Sequence, residues 1–204
     1  MTSSSSSPSV PSLSDLLTAH TAEYSALRGE VCAFHNVEGQ IIAIAIALIS
    51  ALTAFLSVIL GGQIKGLQFE YGKDNAFIHF IPLPFVALGL VFAYTQVRIV
   101  QAAAYLNRTL RSHVLSLLGD RPEIWNWEEF RRHGQSPVRS LATSLNSVRW
   151  LFFIAPSLYP LTAWDRTFSN VGAVLTVVWD LALPLLLIGL AYWTSLILPK
   201  KVLA

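Results

Sequence analysis

The sequence predicts an all-α integral membrane protein, a bundle of four transmembrane helices with a helical hairpin extending from it into the cytosol. Two observations carry that fold class. Ile41 to Leu60 is a run of 20 residues without a charge, long enough to cross a hydrocarbon core of about 30 Å as a helix, and three further apolar segments follow it. Across the 204 residues, 53% are hydrophobic and 13% charged, about half the roughly 25% usual in soluble domains. Four spans of about 20 residues each leave space for modest extensions and none for a separate catalytic domain.

The chain opens on a serine run, Ser3 to Ser7, with Pro8 and Pro11, a composition that cannot bury apolar surface, and residues 1–12 are expected to be a disordered tail. No Lys or Arg precedes Arg28. A secretory signal needs a basic segment directly before its apolar stretch and a mitochondrial presequence needs arginines, so the first apolar segment is expected to be a retained span.

Leu17, His20, Tyr24, Leu27, Val31 and Phe34 recur at alternating steps of three and four and so share one helical stripe. Ser12 and Asp15 suit a capping box. The first helix is therefore expected to start near Leu13 and run unbroken into the membrane. The second span is Phe77 to Val97, with His79 near one end and Pro82 and Pro84 in its first turns, where proline disturbs a helix least. Beyond it Ile99, Ala103, Leu106, Leu110, Val114 and Leu117 form a second stripe, ending at Gly119, a suitable C-cap. These two extensions, each about 30 Å long for about 20 residues, are expected to pack on one another. Glu23 and Glu30 on the first argue against its lying on anionic headgroups.

Residues 120–140 form a connector in which Ile124, Trp125, Trp127 and Phe130 alternate with Glu128, Glu129, Arg131 and Arg132 before a Ser136-Pro137 break. A short amphipathic helix is expected there, as a cap over the hairpin, as a membrane-surface anchor, or as a partner-docking site through Trp125, Trp127 and Phe130. The last two spans fall in residues 141–204. The uncharged core of the third, Trp150 to Trp164, has only 15 residues, and reaching 20 means starting at Leu145 and letting Arg149 snorkel to the headgroups. The fourth, Val171 to Leu198, contains Asp180 at about 2.5 to 3.5 kcal/mol near mid-bilayer. Its 15 Leu, Ile and Val residues outweigh that at about 0.3 to 0.6 kcal/mol each.

With four spans, eleven of the fourteen Lys and Arg residues fall on one side: Arg28, the eight arginines from Arg98 to Arg149, Lys200 and Lys201. The positive-inside rule then puts both termini and the connector in the cytosol. Trp150, Trp164, Trp193, Tyr71 and Tyr192 lie near the span ends as interfacial anchors.

The succession Glu23-Tyr24-x-x-Leu27-Arg28-x-Glu30, Leu83-Pro84-Phe85, Val97-Arg98-Ile99, Ala104-Tyr105-Leu106 and Trp127-Glu128-Glu129 resembles a set of small multi-pass microbial membrane proteins with a long amphipathic lead-in helix and a Trp-Glu signature after the second span. The likeness covers about residues 20–132. It implies a helical hairpin and no chemistry.

Asp180 is the one carboxylate well inside a span, and an intramembrane ionisable group is a functional candidate because its burial is costly. Ser157 and Tyr159 of the third span, with Thr53 and Ser57 of the first, are expected at comparable depth. Structural glue and an ion or proton pathway both remain open. Pro184, four residues on, frees the Asp180 carbonyl. Cys32, His35 and Glu38 follow one another at three-residue steps before the first span, but one helix cannot close a metal shell alone, so no metal or other cofactor is expected. The single cysteine excludes an intrachain disulfide. No Gly-rich phosphate loop, G-x-S-x-G, H-E-x-x-H or C-x-x-C occurs. The expected function is a non-enzymatic interaction or assembly component, whose partners are the lipid bilayer and a second copy or another membrane protein, not nucleic acid. The alternatives are a small ion channel or proton-coupled transporter using Asp180, then a membrane-embedded enzyme.

Overall fold

The computed structural model describes the backbone of residues 12–60, 79–118, 136–163 and 171–197, and the side chains of 12–58, 79–118, 146–161 and 175–197. The expected N-terminal tail, the Gly119 cap, Trp164 and the connector residues Trp125, Trp127 and Phe130 lie outside these segments. Among the described residues there is no strand. In chain order stand α1 (Leu13–Leu60), α2 (Pro82–Tyr105), α3 (Arg111–Leu118), α4 (Ser136–Ser157) and α5 (Val171–Tyr192).

Helix α1 begins where the capping box places it. The Ser12 backbone N–H donates to Asp15 Oδ2 at 3.1 Å, and the Asp15 N–H donates back to Ser12 Oγ at 3.2 Å. The bonds from the Ser12 hydroxyl and backbone hold the Asp15 carboxyl below its ordinary value, so the cap is intact at neutral pH and loosens only as that acid takes up its proton. From there α1 runs 48 residues, about 72 Å. That is more than twice a hydrocarbon core, and its first half forms a stalk.

The two predicted stripes do face each other. Across the stalk the Tyr105 hydroxyl donates to Glu23 at 2.6 Å and Arg98 pairs with Glu30 at 2.9 Å, while the Arg98 guanidinium lies 5.8 Å from the Phe34 ring centre. The same Glu23 bond holds the Tyr105 phenol above its ordinary value. At the tip the rings of His20 and His113 are 6.1 Å apart. Glu23 and Glu30 are thus used to fasten the hairpin.

The second extension is not the uninterrupted α-helix its stripe predicts. A π turn, Leu106–Leu110, joins α2 to α3, and there the Asn107 side-chain amide donates to the Ala103 carbonyl at 2.7 Å. That carbonyl is the acceptor the i−4 bond of Asn107 would use, and a side chain inserted there widens the turn. A second π turn, Trp193–Ile197, ends α5 where the Thr194 hydroxyl donates to Leu190 at 2.8 Å.

In the bundle α2 is the hub, packed on α1, α4 and α5, and α4 also touches α1 and α5. Ile41, Ala45, Val86, Phe92, Ala93, Trp150, Phe153 and Leu187 form the core, with Phe92 and Trp150 edge to face at 5.3 Å between ring centres; Trp150, expected as an interfacial anchor, is instead 1% exposed among these side chains. A Cβ added to Gly89 would lie 2.5 Å from the tip of Leu187. Glycine there lets α5 press its leucine onto the α2 backbone.

Ser136-Pro137, expected to be a break after the connector, opens helix α4, as proline in a first turn can. At the other end α4 stops at Ser157 and continues as a 3-10 turn, Tyr159–Ala163, because Pro156 and Pro160 remove two N–H donors within five residues. Among the described residues three helices are long and apolar enough to cross a membrane: Leu13–Val58, Pro82–Leu118 and Leu175–Ile197.

Candidate functional site

Among the described residues two carboxylates are buried in the bundle, one toward each end. At the end away from the stalk, Asp180 of α5 is 0% exposed. One partner across the bundle is His79, on the short turn leading into α2, whose Nδ1 lies 2.9 Å from Oδ2 and 3.1 Å from Oδ1. The ring nitrogen thus reaches both carboxyl oxygens in a forked contact. The neighbouring Trp179 donates its indole N–H to the His79 backbone carbonyl at 3.2 Å. Two consecutive residues of α5 therefore grip one residue of the α2 lead-in, by ring and by backbone.

The sequence reading placed Ser157 and Tyr159 around this acid. Ser157 is fully buried, but its hydroxyl donates to Ile154 of its own helix at 2.7 Å, and Tyr159 packs on Ile81 and Phe85. Of the other two hydroxyls, Thr53 donates to Ile49 and Ser57 to Ala54, each at 2.8 Å. The structure adds His79 to the residues around this acid. The signal for it was available: antiparallel spans put the start of the second and the start of the fourth on the same side.

At the stalk end, Glu38 of α1 is 2% exposed. Gln96 of α2 donates its amide to Oε1. Oε2 lies 3.2 Å from His35 Nδ1 and 3.6 Å from Arg149 Nη1 of α4. One carboxylate thus joins three helices. Arg149, expected to snorkel to the headgroups, is drawn into this cluster while its side chain stays 45% exposed. One turn earlier on α4, the Asn146 amide donates to Ser195 beyond α5 at 3.0 Å. Cys32 of the Cys32, His35, Glu38 series is exposed, and among the described residues no group of three His, Cys, Asp or Glu side chains gathers that could hold a metal ion.

Between the two acids lies an apolar layer. Asp180 and the buried Thr194 are separated by 14 residues of α5 and its extension, about 21 Å, and that interval is filled by Phe92, Trp150, Phe153 and Leu187, all at most 1% exposed. Chemically, each acid is matched to donors within bonding reach, and His79 and His35 connect them to the surface. The arrangement fastens helices at either end of the bundle. Compared with known proteins, the chain matches no family model, no curated protein and no solved structure.

Proposed function

We propose that this is a four-span membrane protein, stalk and both termini in the cytosol, that works as a non-enzymatic assembly component through the outer face of α1. That face carries the reading. Ala19, Ala22, Ala26, Gly29 and Ala33 are all exposed and recur at steps of three and four, and Ala43, Ala47 and Ala54 continue the line into the span. Of the Lys, Arg, Asp and Glu residues of α1 between 16 and 58, Arg28 is exposed, Glu23 and Glu30 turn to the second extension, and Glu38 is buried. A helix face turned to water normally carries charge, whereas a face of small residues at this spacing lets a second helix approach closely.

The placement in the membrane is supported by the three membrane-length helices and by eleven of fourteen cationic residues falling on one side of a four-span topology. A channel or proton-coupled transporter is the second reading, favoured by a fully buried Asp180 bonded to a partly exposed His79. The packed layer of Phe92, Trp150, Phe153 and Leu187 weighs against an open path. A flux in reconstituted vesicles that vanishes in Asp180→Asn would promote it.

The assembly reading is tested by single cysteines placed along residues 17–34 in a Cys32→Ser background and oxidised in native membranes. Intermolecular crosslinks are expected at Ala19, Ala22, Ala26, Gly29 and Ala33, and absent at Leu17, Leu27 and Val31, which face the hairpin. Uniform crosslinking, or none, sinks the reading. The mass of the product tells a second copy from a different membrane protein.

A further inference from the structure

We infer that the groove between α1 and α4, on the half of the bundle away from the stalk, holds one acyl chain of a membrane lipid. The inference rests on the membrane placement proposed above. The groove has a volume of about 790 Å³, within the roughly 300 to 1,000 Å³ of sites that enclose small ligands. Its polarity is graded. Helices α1 and α4 run parallel, since the Glu38–Arg149 pair lies at the stalk end and the groove residues Leu56 and Leu158 at the other. Ile49, Leu52, Thr53 and Phe152 therefore line the deep part toward mid-bilayer, the Thr53 hydroxyl being bonded to the Ile49 carbonyl of its own helix, while Ser57 and Tyr159 stand at the rim.

That gradient is complementary to a lipid entering chain first, with its glycerol ester region left at the hydroxyl-bearing rim. The groove continues into exposed apolar surface: Leu151, 55% exposed, belongs to its lining. Hydrocarbon is the medium at that depth. No charged side chain lines it, which suits a chain rather than a headgroup.

The test uses the full chain in phosphatidylcholine vesicles containing a phosphatidylcholine with a diazirine partway along one acyl chain, with photo-adducts mapped by peptide mass spectrometry. Adducts are expected at Leu52, Leu56 and Phe152, several-fold denser than on the more exposed Ile44, Leu181 and Leu185. Filling the groove by Ala155→Trp, or separately by Leu52→Trp, should remove the first set and keep the second. If neither variant folds, the parent map alone decides. Adducts spread in proportion to exposure overturn the inference, and so do protein–protein crosslinks across the groove, which would put a second copy there. Absence of adducts everywhere overturns the membrane placement and the groove with it.

Discussion

Replacing Gln96 and Arg149 together by leucine is expected to destabilise the bundle by about 3 to 5 kcal/mol, the loss that follows when a buried charge keeps its charge and loses its partners. Glu38 is 2% exposed. In the double variant it retains His35, which sits on its own helix and is 56% exposed on its side chain, so little holds the carboxylate against the cost of leaving water. Changing the acid itself in the same background, Glu38→Leu, should restore most of the loss, because a neutral side chain needs no partners. Denaturation in detergent, followed by helical signal, measures all three proteins. A triple variant no more stable than the double would show that the cluster does not act through the buried charge.

Truncating His79 is the second large effect. Asp180 is fully buried and His79 partly exposed, so the two ends of the pair are not equivalent. His79→Ala takes the imidazole from an acid that cannot turn to solvent, and about 2 to 4 kcal/mol should be lost. Asp180→Leu leaves a histidine that can turn toward the surface, at a smaller loss. Asp180→Asn, which keeps shape and a hydrogen-bonding group, should be mildest. Thermal stabilities in detergent rank the three, and a His79→Ala protein as stable as the parent would show that the pair carries no weight in the fold.

Helices α1, α2 and α5 were legible in the sequence because each rests on a local pattern: a long apolar run, a capping box or a stripe at steps of three and four. The 3.5-residue seam of α1 is legible too, and it extends beyond the stalk. Continued past Phe34 it runs through Glu38, Ile41, Ala45, Leu48 and Leu52, and that continuation puts a carboxylate where only apolar residues are comfortable. The seam alone thus marks Glu38 as a buried acid, but it does not reveal the partners. Gln96 and Arg149 meet it only because α2 and α4 cross α1 at that height, which depends on helix register. Register is set by packing such as Gly89 against Leu187, which no periodicity reveals. The π turns are a third kind of feature, in which Asn107 and Thr194 compete with the backbone for a carbonyl, a contest whose outcome neither residue type dictates.

The proposed assembly needs a chain that crosses the membrane four times with its stalk on the cation-rich side. Single cysteines at Ser3, Gly72, Gln135 and Ala204, in a Cys32→Ser background, test this in intact cells with a thiol reagent that cannot cross the membrane. Gly72 should label from outside and the other three only after the membrane is opened. Labelling of Ala204 in intact cells would mean three crossings and would contradict the bundle proposed here.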